Sequence, residues 1–81
     1  MREKRPRLIV TFRTTVAAMT MERVCAARGV EGRLIPVPGA LRAGCGMAWS
    51  APPGEQDLVE QTAAEAGIET EGFYIVDQIK W

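Results

Sequence analysis

The chain has no histidine. Its absence removes the commonest general base and the commonest metal ligand, which excludes Ser-His-Asp and Cys-His triads and most zinc sites. Only two cysteines are present, Cys25 and Cys45, at a spacing that matches no metal-binding pair. In a chain without a secretory pattern, two cysteines read as reduced thiols rather than a disulfide staple. Aromatic residues are scarce at 6% of the chain, and the basic residues lack the interleaved aromatic platform of a nucleic-acid surface. A nucleic-acid partner is therefore not expected.

Long apolar runs are also missing. Stretches such as Leu8-Ile9-Val10 fall far below the roughly 20 residues needed to span a bilayer, so no membrane partner is expected. The basic start, Arg2 to Arg7, leads into a strand-like segment instead of an apolar region with a small-residue cleavage site. The expectation is a cytoplasmic protein. At 81 residues, 47% hydrophobic and 25% charged, the chain has the composition of one small globular domain. A core of this size leaves no room for a deep enzymatic cleft.

What charge there is divides unevenly. Residues 1–42 hold nine basic and three acidic side chains, whereas residues 43–81 hold one basic and seven acidic. A solvated surface with some internal pairing accounts for most such asymmetries.

Leu8 to Phe12 is short, apolar and rich in β-branched residues, which predicts a strand. Thr14 or Thr15 then supplies an N-cap, and Ala17, Ala18, Met21, Val24 and Cys25 recur at helical spacing up to the stop at Gly29. Gly32 to Val37 reads as an edge strand because it contains Pro36, which cannot donate to a ladder. A loop from Gly39 to Gly44 leads to a strand over Gly46 to Ala51. A second helix follows over Gly54 to Ala66, with apolar positions Leu58, Val59, Ala63 and Ala66, and Gly67 closes it. Phe73 to Val76 forms the last strand; Ile79 and Trp81 either extend it or fold back.

The order β-α-β-β-α-β, with Ala27-Arg28-Gly29-Val30-Glu31 echoed by Glu65-Ala66-Gly67-Ile68-Glu69, predicts a ferredoxin-like α+β sandwich. It has a four-stranded antiparallel sheet with two helices on one face. Residues 1–7 read as a basic tail, 8–76 as the single domain and 77–81 as an extension. The sheet face opposite the helices is a candidate surface for a homodimer or another partner.

In this topology Cys45 lies at the same end as Arg13, Thr14 and Thr15. A helix N-terminus, with Arg13 and Arg42 as nearby cations, favours thiolate and can bring a cysteine below its ordinary pKa of roughly 8.5. Gly44 and Gly46 leave the sulfur reachable and free backbone amides to turn toward an anion or a second sulfur atom. The alternative is that Gly44-Cys45-Gly46 merely shapes a hairpin. Cys25 falls on the inward helical face, about 15 Å of helix rise from the Thr14/Thr15 end, too far for a disulfide with Cys45. Met19, Met21, Met47 and Trp49 read as core and sheet packing rather than a soft-metal stripe.

The run Thr11-Phe12-Arg13-Thr14-Thr15, the segment Arg33-Leu34-Ile35-Pro36-Val37-Pro38, the pair Cys45-Gly46, and Ala66-Gly67-Ile68 with Glu71-Gly72 resemble the putative selenium/sulfur carrier protein-like family of small bacterial proteins. The similarity runs from about Leu8 to Val76. It implies sulfur or selenium handling, with the family's Cys-Gly pair falling on Cys45 and Gly46. The resulting expectation is a non-enzymatic carrier without a cofactor. Cys45 would hold the chalcogen as a persulfide or selenosulfide, between a donor enzyme and an acceptor protein. A ferredoxin-like interaction or regulatory module with a structural Cys45 is the alternative, and a thiol redox sensor a third reading.

Overall fold

The computed structural model describes the backbone of residues 3–39, 41 and 44–80 and the side chains of residues 5–39, 41 and 44–77. Strand β1 covers Glu3–Thr11, helix α1 Thr15–Arg28, β2 Arg33–Pro36, β3 Met47–Ala51, α2 Gln56–Glu65 and β4 Gly72–Lys80. A single 3-10 turn, Pro53–Glu55, leads into α2. The sheet order is β2-β3-β1-β4 with every neighbouring pair antiparallel, which is the ferredoxin-like arrangement that the element order predicts.

Alternation along the strands decides which face is dry. Leu8 and Val10 of β1 and Trp49 and Ala51 of β3 share one face and form the core with Phe12, with Ala18, Met21 and Cys25 of α1, and with Val59 and Ala63 of α2. Both helices thus cover the same side of the sheet. Each fully buried aliphatic or aromatic side chain contributes about 1.5–3 kcal/mol, so Leu8, Phe12, Met21 and Val59 dominate the stabilisation.

Helix α1 starts where its sequence says it should. Thr14 has extended backbone angles and its hydroxyl accepts the Ala17 N–H at 3.1 Å. The repeated helix stop is repeated in structure. Val30 N–H donates to the Cys25 carbonyl and Ile68 N–H to the Ala63 carbonyl, each at 2.9 Å, while Gly29 and Gly67 donate to Ala26 and Ala64. Arg28, in the last turn of α1, also pairs with Glu65 at the end of α2 at 2.7 Å.

The outer strands are longer than their sequence suggests. Residues 3–7 belong to β1, and residues 77–80 continue β4 in register with them, from Arg7 opposite Val76 to Glu3 opposite Lys80. Residues 3–7 of the basic tail and 77–80 of the extension therefore form a two-stranded ribbon, and Ile79 lies within β4 rather than folding back, while Trp81 lies outside the described residues. Pro6 sits inside β1 instead of preceding it. It is tolerated because β3 pairs only with Leu8–Thr11, leaving one side of β1 unpaired at Pro6. β2 begins one residue later than predicted and ends at Pro36 on the sheet edge, while α2 begins two residues later, after the 3-10 turn.

Two apolar side chains depart from the expected packing. Met19 is 59% exposed on the outer side of α1, whereas Met21 is wholly buried, because the two lie on different sides of the helix. Leu58 of α2 is also exposed. The sheet face away from the helices is not a bare apolar plane: Ile9, Thr11, Ala48 and Ser50 occupy its centre and all are buried. Arg7 donates from Nε to Ser50 Oγ across it at 3.1 Å, and Tyr74, 41% exposed, is its aromatic contribution.

Candidate functional site

The loop between β2 and β3 is a wide hairpin. Val37 N–H donates to the Gly46 carbonyl at 3.0 Å, closing its base, and Leu41 N–H donates to the Pro38 carbonyl at 2.9 Å. Cys45 stands on the returning limb, two residues before Met47. The two glycines beside it have different physical tasks. Gly46 has φ of +75°, a left-handed backbone that a side chain disfavours, so it makes the turn into β3. Gly44 permits a close approach, since a Cβ there would stand 2.7 Å from the Arg13 carbonyl oxygen.

That approach brings Cys45's loop to the end of β1, where the chain turns into α1. It is the main chain of Arg13 that meets Gly44, while the Arg13 side chain is exposed. Thr14 caps α1 and Thr15 is its first residue, so both follow the contact directly in sequence. Arg42 lies outside the described residues.

A residue that sequence reasoning did not assign to the site completes it. Glu71 precedes β4 and ties the loop to the end of β1: its N–H donates to the Thr11 carbonyl at 2.7 Å, and its carboxylate accepts the Gly44 N–H at 3.0 Å. No spacing rule announces this role. The signal was topological, because the start of β4 must lie beside the end of β1 once the two strands pair.

The Cys45 sulfur is half-buried. It belongs with Ala17, Met47, Ile68 and Phe73 to the shell of partly buried apolar groups packed against the core. Met47 N–H donates to Sγ at 3.4 Å, and the thiol donates to the Met47 carbonyl at 3.5 Å. Among the described residues, the sulfur thus meets main-chain atoms of β3 and apolar neighbours. Cys25 contrasts with it. Cys25 is completely buried in α1, and burial pushes its thiol pKa up, partly opposed by the positive charge of Arg28. Both cysteines are free thiols.

Among the described residues, no group of three or more histidine, cysteine, aspartate or glutamate side chains is arranged to hold a metal ion, and no helix is long and apolar enough to cross a membrane. Chemically, the site offers one thiol on a half-buried residue, held by a backbone N–H in a loop fixed at Gly44.

Neither a curated protein nor a solved structure matches the chain. Residues 7–75, which run from β1 through the Cys45 loop into β4, match the family described as "Putative Se/S carrier protein-like". Because the match takes in most of the chain, with both helices, β2, β3 and parts of β1 and β4, the chain belongs to the putative Se/S carrier protein-like family.

Proposed function

We propose that this protein is a non-enzymatic sulfur or selenium carrier and that Cys45 is its carrying residue. The observation that carries the reading is the contrast between the two thiols: Cys25 is sealed in the core, whereas Cys45 is partly exposed on a loop and receives a backbone N–H from Met47. Membership of the family supplies the chemical class.

The step needs no oxidant. The Cys45 thiolate attacks the terminal sulfur of a donor enzyme's persulfide, a new S–S bond forms on Cys45, and the donor's own cysteine leaves as thiolate. Delivery reverses the roles: an acceptor nucleophile takes the terminal sulfur, and Cys45 departs as thiolate. A terminal selenium atom follows the same course through a selenosulfide. Met47 N–H is a donor available to a sulfur anion, and the capped start of α1 near Gly44 adds the positive end of a helix dipole. Arg13, Thr14, Thr15 and Arg42 are assigned supporting electrostatic roles, Gly44 and Gly46 the shaping of the loop. Donor enzyme and acceptor protein are the partners this reading requires.

The alternative is an interaction module in which Cys45 is a loop-packing residue. It draws on the same half-burial and on the sulfur's two contacts with Met47. A homodimer through the outer sheet face would have to build on Tyr74 and the rim, since the centre of that face is already buried. Intact-mass spectrometry after incubation with a cysteine desulfurase and cysteine separates the readings. The carrier gains a sulfur atom that Cys45→Ser abolishes; a structural cysteine gains none.

A further inference from the structure

The two edges of the sheet are built differently. In the order β2-β3-β1-β4, the outer strands β2 and β4 each have one side unpaired among the described residues. β2 is four residues long and ends at Pro36, whereas β4 runs for nine residues, Gly72–Lys80, without a proline. A long edge strand with free N–H and C=O groups is a template for another strand, and a short strand or an edge proline is a usual guard against it. β2 carries both guards and β4 neither.

Alternation fixes which main-chain groups of β4 are free. Val37 N–H donates to the Gly46 carbonyl, so this pair and every second pair after it carry the hydrogen bonds between β2 and β3. Pro36 therefore stands at an outward position of β2, where its missing N–H blocks the edge. Carried across the sheet, the same alternation bonds Trp49 and Ala51 of β3 to Val10 and Leu8, and turns Arg7 and Ile9 of β1 toward Val76 and Tyr74. Tyr74 and Val76 thus direct their N–H and C=O groups at β1, while Phe73, Ile75 and Asp77 turn theirs outward. The side chains leave that edge open. Ile75, opposite Leu8 and so on the helix side, is 53% exposed. Tyr74, on the other side, lies back over Gly72, where a Cβ would stand 2.6 Å from its hydroxyl oxygen.

We propose that β4 pairs antiparallel with β4 of a second copy of this chain, about a two-fold axis at Ile75, joining two sheets into one. The argument for a second copy is that this edge matches itself, as an isologous contact requires. With the axis at Ile75, Phe73 meets Asp77 of the second copy and Ile75 meets its counterpart. Every outward N–H and C=O of Phe73, Ile75 and Asp77 then finds a partner. The exposed Ile75 side chains cover each other on the helix side, and Tyr74 comes opposite Val76 of the second copy, a favourable aromatic and β-branched pair. Asp77 is the one charged side chain from Gly72 to Asp77, and this register keeps it away from its own copy. Centring on Asp77 would oppose two carboxylates, and centring on Val76 would set Ile75 against a carboxylate; like charges directly opposite are destabilising.

The test uses the full chain in a thiol reductant, which removes disulfide-linked dimers. Strand-edge contacts are small, so sedimentation velocity is run from about 10 μM to about 1 mM, the range in which weak interfaces form. The expected result is a reversible monomer–dimer equilibrium, with amide hydrogen exchange at Phe73, Ile75 and Asp77 slowing as concentration rises. Exchange at Leu34, an outward position of the guarded edge, should not change. Ile75→Lys places two ammonium groups at the axis and should raise the dimer Kd by about tenfold or more. Ile75 is more than half exposed, so this variant should fold. Leu58→Lys, on the exposed side of α2, should dimerise like the parent. A monomer at every concentration, a dimer that survives Ile75→Lys, or exchange at Phe73, Ile75 and Asp77 that ignores concentration would each overturn the assignment. Cys45→Ser should dimerise unchanged, so this result stands or falls separately from sulfur carriage.

Discussion

The carboxylate of Glu71 accepts the backbone N–H of Gly44 at 3.0 Å, joining the residue before β4 to the loop that carries Cys45. Glu71 is itself anchored by its N–H to the Thr11 carbonyl at 2.7 Å. One residue therefore fastens the Cys45 loop to the central strand of the sheet. Where the sulfur stands is set as much by Glu71 as by the glycines beside it.

Replacing Glu71 with alanine should release the loop at Gly44. A single hydrogen bond of this kind contributes about 1 kcal/mol, so the global cost is small and the local effect large. Hydrogen exchange at the Gly44 amide should quicken, and alkylation of Cys45 by iodoacetamide should accelerate several-fold. Glu71→Gln keeps an acceptor oxygen and should stay close to the parent protein in both. Equal exchange and alkylation rates in all three would show that the bond does not hold the loop.

The two loop glycines should fail for different reasons. Gly44→Ala puts a methyl group 2.7 Å from the Arg13 carbonyl oxygen, an overpacking that costs about 1–3 kcal/mol and pushes the loop from the sheet. Gly46→Ala meets open space but must hold φ near +75°, a penalty of about 1–2 kcal/mol. Urea unfolding should show both losses as lower midpoints with an unchanged slope. Only Gly44→Ala should also speed exchange at the Glu71 amide.

Cys25 makes stability depend on alkaline pH. Burial raises its pKa in the folded state, so the folded protein holds that proton more tightly than the unfolded chain does. The contribution is complete below the ordinary thiol pKa of roughly 8.5 and is lost as pH rises through the higher folded value. Urea midpoints measured upward from pH 8 should fall more steeply for the parent than for Cys25→Ala. Parallel curves would contradict this.

Much of the fold was legible because its punctuation is local. Thr14, Gly29, Gly67 and Pro36 each mark an element boundary or edge through a backbone requirement of their own, and each stands where that requirement places it. What stayed hidden depends on partners distant in sequence. Residues 3–7 look like a charged tail because their strand pairs with a second polar strand, 76–80, and neither segment alternates clearly. Cys45 was visible from its glycines, and its place beside the Arg13 turn followed from topology. Glu71 was not visible as a site residue, since an acid before a strand carries no mark of the amide it will bind. Met19 reads as a packing residue in sequence, yet of the two helical methionines only Met21 turns inward.

The pair Arg28–Glu65 should shape the acid limb of the stability curve. Glu65 has its pKa lowered by the hydrogen bond from Gln61 and then by that from Arg28. Its stabilisation is present above the ordinary glutamate pKa and disappears as pH falls through the lowered value. Both partners are substantially exposed, so the effect is small and screened by salt. Thermal midpoints between pH 6 and pH 3 should decline more gently in Glu65→Gln than in the parent at low ionic strength, and the difference should shrink in high salt as the Arg28 contribution is screened.

The most direct test of the carrier reading is to map the added atom to a residue. The protein is loaded by a cysteine desulfurase with cysteine as sulfur source, alkylated, digested under non-reducing conditions and sequenced by tandem mass spectrometry. The account predicts an alkylated persulfide on the Cys45 peptide, an unmodified Cys25 peptide, and removal of the extra sulfur when a thiol acceptor is added before alkylation. Extra sulfur on Cys25, or none on Cys45 while the desulfurase is turning over, would contradict it.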